Sequence, residues 1–592
     1  MRVSRHQSAR LRPLLRISSS LLVIPAALTA SSAGATPTAQ PAFVSQGGST
    51  APVASLGHSV GQRAGHSVAP TVKAAPIASV SSGKSAGVSG LTRLPASATG
   101  ELVAHVRRPV VHRFSMVAVT WAQQASPATV GVEVRTRYDG HWSSWTQLVT
   151  DGDGPSAAED ATVRAGTAPL WVKHATGVEV AVYARGPRRL AALEVDTIDP
   201  GTSASDSTLT GSPSSDSAFQ GTVGTDAATT ATGPHAGTFP SIPTIVTRAG
   251  WGADESLGDT CWDPKYGTTF KAVIVHHTAG SNDYTKDEAA AVVRGILAYH
   301  TVSRGWCDIG YNFLIDRYGT IYEGRAGGIR QPVRGAHGGD YNVDTTGISL
   351  MGNFDLAQPT RAAKHALVQL IAWRLGAAYH GAYGRVFLYD GKFNRISGHR
   401  DVMQTSCPGR YVYAWLPTLR QRVEARLGDF VSAIEASWRT GGGKRSDLGP
   451  VRVGEEGENG GRHTIFRGGR MYDSASGLFT FDRGPVLHRY VRSGETGGGL
   501  GYPASGVRSV STTGGLSATF AGGRIYWSDA TGSRLLRRGA ILKHYLQHGA
   551  AAGELGFPVT EVYATSGGTR ARFESGVITY DATTRQTTVT PR

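Results

Sequence analysis

Apolar and polar residues alternate in VEVRTRY (132–138) and VEVAVYA (178–184), the period of half-buried strands, and a β-sandwich over residues 101–200 accommodates both. Further on, KAVIVHHTAG (271–280) is a short apolar run that ends in His276 and His277, so a buried strand delivers two histidines at its end. Thr285 and Glu288 then form a T-x-x-E capping box before Val292, Val293, Ile296, Leu297 and His300 at helical spacing. His300, on the apolar face, is expected to be a satisfied core residue. GYNFLIDRYGTIYEG (310–324) alternates on both sides of Tyr318-Gly319, as a hairpin does, and GISLMGNF (347–354) supplies another strand. A helical pattern from Thr360 to about Tyr379, the GHRD segment and a helix from Tyr411 to Leu427 complete a region of α/β type, a mixed central sheet with flanking helices, over residues 242–435.

The C-terminal part repeats itself. LGYP (500–503) recurs as LGFP (555–558), with a degenerate LGP from Leu448; FRGGRMYD (466–473), FAGGRIYW (520–527) and FESGVITY (573–580) form a second series, and GPVLHRY (484–490) and GAILKHY (539–545) a third. These copies, over residues 448–592, resemble the LGFP repeat of actinobacterial cell-wall proteins, which implies β-rich modules and attachment to the envelope. Residues 36–100 and 201–241 are rich in Ala, Ser, Gly and Thr with little apolar periodicity, and are expected to be linkers.

At 592 residues the chain is multidomain. Its first sixteen residues carry five arginines, Leu21–Ala30 is a short apolar run, and Ala33-Gly34-Ala35 offers an A-x-A site, so residues 1–35 read as a signal peptide. The run is too short for a transmembrane segment and no later one is longer. A net charge of +16 on a secreted, cell-wall-associated chain points to anionic cell-wall polymers, with nucleic acid excluded. In the first domain, Trp142, Trp145 and Trp171 are expected to pack in the core, and no catalytic constellation is visible there.

A histidine pair at a strand end, His399 in GHRD and Cys407 eight residues later supply the ligands Zn2+ prefers, with a fourth position left for water. Three cysteines are an odd number for an oxidising compartment. Cys261 and Cys307 flank the first strand and helix of this domain and pair as a disulfide in this reading, leaving Cys407 for the metal.

VIVHHTAG, RGWCDIGYNFLIDRYGTIYEGR, GAHGGDYN, GISLMGNF and GHRDVMQTSCPG together resemble the peptidoglycan recognition protein domain, also known as the type 2 N-acetylmuramoyl-L-alanine amidase domain. The resemblance implies His276, His399 and Cys407 as zinc ligands, Tyr311 and Thr405 as residues assisting the reaction, and His337, with His277 and Arg325, in the substrate groove. It implies hydrolysis of the lactyl-L-alanine amide of peptidoglycan. One departure is that Ala326-Gly327-Gly328 follow Arg325 where relatives often carry a pair that discriminates stem peptides. The alternative is a non-catalytic peptidoglycan-binding protein, since relatives lacking the cysteine or tyrosine act as receptors; here all four residues are present.

Overall fold

The computed structural model describes residues 67–79, 100–123, 129–156, 163–185, 190–206, 222–223, 240–258, 263–429, 431–510 and 514–592. The expected signal peptide and most of the first linker lie outside the described residues. Among the described residues, no helix is long and apolar enough to cross a membrane.

Two antiparallel sheets of six and five strands form the first domain. Val132, Val134, Val178, Val180 and Val182 project into the core between them, as their alternation requires. The linker reading of residues 36–100 fails in one place: Thr71–Pro76 is an edge strand paired antiparallel with Glu194–Asp199. Its half-exposed residues carry almost no apolar pattern, which is why it passed for linker. In the second linker, Thr222–Val223 likewise pairs with Ile245–Val246.

The central domain is built on a seven-stranded sheet. Its strands are β1 (Thr222–Val223), β2 (Ile245–Val246), β3 (Ala272–His277), β4 (Phe313–Ile315), β5 (Ile321–Glu323), β6 (Thr345–Leu350) and β7 (Ile396–Gly398), in the order β1-β2-β5-β4-β6-β3-β7. Strands β4, β6, β3 and β7 run parallel, and β4 and β5 form the antiparallel hairpin. Helices α2 (Arg361–Ala377, capped by the Thr360 side chain) and α3 (Arg410–Leu427) cover one face; Leu367, Ile371, Leu416 and Leu419 meet Val273, Val275, Ile348 and Leu350 there. On the opposite side, α1 (Ala289–Ala298) shares a core with Leu314, Tyr322 and Met351 and with Met116, Trp171 and Ile198 of the sandwich. The two domains are therefore joined by a continuous apolar core. The capping box before α1 is half made: Glu288 accepts from the Thr285 amide at 2.8 Å, and the helix proper begins only at Ala289.

Each C-terminal repeat is a four-stranded antiparallel sheet, and the helices Pro485–Arg492 and Ala540–Gln547 connect successive sheets. The apolar residues of GPVLHRY, Val486, Leu487 and Tyr490, pack against Tyr472 and Phe481 of one sheet and Phe520 and Ile525 of the next. Neighbouring repeats therefore share their cores and stabilise each other.

Candidate metal centre

Parallel strands β3 and β7 lie side by side, with Val275 opposite Gly398, so the chain delivers His276 and His399 together at their carboxyl ends. Side chains alternate along a strand. Val273 and Val275 face α2 and α3, which leaves Ile274 and His276 on the sandwich side. Cys407 arrives from the loop after His399, where the Arg400 amide donates to the Cys407 carbonyl at 2.9 Å and the Cys407 amide donates to Thr405 Oγ1 at 3.2 Å.

Donor atoms of His276, His399 and Cys407 all lie within 4.8 Å of one another, and all three residues are buried. Cys407 Sγ is 3.6 Å from His276 Nδ1. With zinc bonds of about 2.0–2.1 Å to nitrogen and 2.3 Å to sulfur, a tetrahedral ion separates a nitrogen and a sulfur by roughly 3.6 Å. His399 Nε2 has no hydrogen-bond partner among the described residues and Nδ1 has only the Asp153 carboxylate beside it, at 2.9 Å, a setting in which a buried imidazole can face a cation. Burial, and then the charge of Asp153, push the Cys407 thiol up, so a thiolate here calls for a positive ion beside it. The residues fit a zinc ion.

His276 Nε2 points away from the cluster to His337 Nδ1 at 3.1 Å. With His276 Nδ1 turned toward the donors, Nε2 carries the proton and donates it to His337, whose own proton then sits on Nε2. Burial pushes His276 down to about 4 and His337 well below its ordinary value, so both are neutral near pH 7. The His337 ring fits only because residue 347 is glycine: a Cβ there would come within 2.3 Å of the ring. Tyr311, just before β4, lies with its ring 5.4 Å from that of His276, and burial raises its phenol well above the usual range.

The side chains of His277 and Arg325, two of the expected groove residues, bond away from the donor cluster. His277, one position along the strand, turns its ring to the other face, where Nδ1 accepts from the Phe354 amide at 3.1 Å; its backbone reaches the Cys407 sulfur, the N–H at 3.3 Å and the carbonyl at 3.8 Å. Arg325 is buried with Nη1 donating to the Ile309 carbonyl at 3.2 Å, a bond that braces the segment before Tyr311. The hydroxyl of Thr405 holds the Cys407 amide rather than the donor cluster. His300 is the satisfied core residue expected, accepting from the Gly310 amide at 3.1 Å. Cys307 is disulfide-bonded and Cys407 is free, while Cys261 lies outside the described residues. Trp171 is buried, whereas Trp142 and Trp145 are only partly so, each under the Arg135 guanidinium.

The residue that sequence reasoning missed is Asp153, in the sandwich segment TDGDGPS (150–156). Its Oδ1 lies 2.9 Å from His399 Nδ1 and 3.4 Å from His276 Nδ1, and its Oδ2 accepts the Tyr311 hydroxyl at 2.5 Å. Burial opposes its ionisation, but the neighbouring His399 and His276 outweigh that and hold it well below the usual carboxylate range. Nothing in a Gly/Asp/Pro turn 123 residues before His276 marks it for this position.

Peptidoglycan-recognition protein SC1a/b of Drosophila simulans is 36% identical over 171 residues, which are 28% of this chain and 82% of that protein. The chain belongs to the peptidoglycan recognition protein family. Peptidoglycan recognition protein 1 of Bos indicus is 38% identical over 170 residues, 28% of this chain and 80% of the relative. A family model described as N-acetylmuramoyl-L-alanine amidase matches residues 266–410, and the LGFP repeat model matches 500–553. A third, Rv3811 N-terminal galactose-binding domain-like, matches residues 66–214, which places the start of the first domain well before residue 101. Among solved structures, Drosophila PGRP-LB wild-type is 28% identical, covering 29% of this chain and 92% of its own, with a TM-score of 0.25. The family and the repeats support a cell-wall amidase or a binder of the peptidoglycan recognition kind.

Proposed function

We propose that this chain is a secreted, zinc-dependent N-acetylmuramoyl-L-alanine amidase, which hydrolyses the amide between the lactyl group of N-acetylmuramic acid and L-alanine and is held on the cell wall by its LGFP repeats. The observation that carries the reading is the convergence of His276, His399 and Cys407, with donor atoms within 4.8 Å, beside the Tyr311 phenol. A zinc ion held by these three residues supplies Lewis acidity and a water acidic enough to act near neutral pH. Tyr311, kept protonated by burial, is a hydrogen-bond donor suited to the carbonyl oxygen as charge develops on it. His337 Nδ1, 3.1 Å from His276 Nε2, fixes the orientation of the His276 ring. Thr405 sets the loop that presents Cys407.

A second reading, peptidoglycan binding without turnover, has one observation in its favour: Asp153 already occupies the side of the cluster a substrate would approach. Incubating the metal-loaded protein with sacculi and identifying new ends by mass spectrometry separates the two. Free lactyl groups with N-terminal L-alanine are expected from a form lacking the Asp153 carboxylate, and slowly or not at all from wild type; retention on sacculi with no new ends from either protein would establish the binder instead.

A further inference from the structure

We propose that Asp153 is the fourth ligand of the metal, supplied by the sandwich domain, and that the segment around it seals the site in a latent form of the enzyme. The proposal rests on the zinc reading of the cluster. In a tetrahedral zinc site a carboxylate oxygen lies roughly 3.4 Å from each ligating nitrogen. Asp153 Oδ1 stands at that spacing from His276 Nδ1, 3.4 Å, and inside it from His399 Nδ1, at 2.9 Å. The same carboxylate takes the Tyr311 hydroxyl on Oδ2. One side chain therefore occupies both the position open to water and the donor meant for the substrate carbonyl.

The segment is seated by several independent contacts. Asp151 Oδ2 pairs with Arg304 Nη1 at 2.7 Å, and Arg304 Nε donates to the Arg164 carbonyl at the same distance. The Gly154 carbonyl accepts from Asn342 Nδ2 at 3.0 Å and from the Gly339 amide at 3.1 Å, while Asn342 Oδ1 accepts from the His337 amide at 2.8 Å. The strap is thus bonded to the segment that carries His337. Beneath it, Trp306 packs with Val163 and Ala336. As a result His276, His337 and His399 are fully buried, and Cys407 is 7% and Tyr311 4% exposed. A stem peptide cannot reach the cluster while the strap is in place. A general base would have to leave room for water and substrate together, and this geometry leaves none, so a ligand role fits and a base role does not.

The test uses the full-length protein and its Asp153→Ala and Asp153→Asn forms loaded with Co2+, whose ligand-field bands report coordination whether or not the enzyme turns over. Removing the carboxylate is expected to shift those bands, to weaken Co2+ affinity by about tenfold or more, and to let azide perturb the spectrum, which wild type resists. The zinc-loaded variants are expected to cleave soluble muropeptides at least about tenfold faster than wild type. Asp153→Asn keeps the shape of the side chain, and its melting temperature reports folding if the alanine form fails. Identical bands in all three proteins, with azide binding wild type as readily as the variants, would overturn the ligand assignment. Loss of turnover in both variants from an active wild type would overturn latency and make Asp153 part of the catalytic machinery. Altered bands with no cleavage by any form would leave Asp153 as a ligand and remove the amidase reading, so the two failures are distinguishable.

Discussion

Gly347→Ala is the most local test of how the site is assembled. A Cβ at position 347 would lie 2.3 Å from His337 Cδ2, 2.4 Å from Cγ and 2.7 Å from Nε2, and on the other side a Cβ at Gly335 would meet the same ring at 2.3 Å. Carbon atoms rest at about 3.5–4.0 Å, so the ring must retreat by about 1 Å or more from a pocket with no slack. Retreat breaks the 3.1 Å bond to His276 Nε2. Overpacking of this kind costs about 1–3 kcal/mol, which for a domain of this size lowers Tm by roughly 2–4 °C per kcal/mol. His337→Ala removes the obstacle, so in the double variant the new methyl group has room. Calorimetry on wild type, both single variants and the double variant, with chelator present throughout, should give a favourable coupling of about 1–2 kcal/mol. A Gly347→Ala protein as stable as wild type, or strictly additive losses in the double variant, would refute the packing argument.

Tyr311→Phe removes the proposed donor alone, so bound zinc should be unchanged while kcat falls on the order of 100-fold in an Asp153→Ala background; full turnover with full zinc would remove Tyr311 from the reaction. His380, whose Nε2 lies 3.1 Å from the Phe270 carbonyl, is lowered to about 4 by burial and then by Arg395. Between pH 6.5 and 4 the unfolded chain takes up a proton that the native state refuses, so stability is full above about pH 6.5 and falls by up to about 3 kcal/mol toward pH 4. Acid-limb denaturation of His380→Gln should be flatter by that amount, and parallel limbs would contradict the assignment. Truncation after Arg538 spares the core around Tyr490 and removes the helix and sheet that pack around Tyr545; in the Asp153→Ala background it should leave cleavage of soluble muropeptides intact while weakening retention on sacculi, and equal retention would exclude avidity through the repeats.

What was legible in the sequence was local. The apolar run in KAVIVHHTAG and the hydrophobic spacing after Thr360 correspond to β3 and α2, because both are set by neighbours in the chain. The alternation of side chains along a strand then separates His276 from His277: consecutive strand residues face opposite ways, and only one can join His399. Thr71–Pro76 was hidden because an edge strand needs pairing more than burial, and its partner, Glu194–Asp199, lies more than 100 residues away. Asp153 was hidden for the same reason. Its chemistry depends on two domains meeting across the core of Met116, Trp171 and Ile296, a contact with no period and no spacing to announce it.

Hydrolysis of a defined muropeptide in 18O-labelled water shows which bond the protein cuts. With the zinc-loaded Asp153→Ala protein, the account predicts one 18O atom in the lactyl carboxylate and an unlabelled N-terminal L-alanine, formed slowly or not at all by wild type. Label at a sugar carbon or within the stem peptide, or no cleavage by either protein, would contradict it.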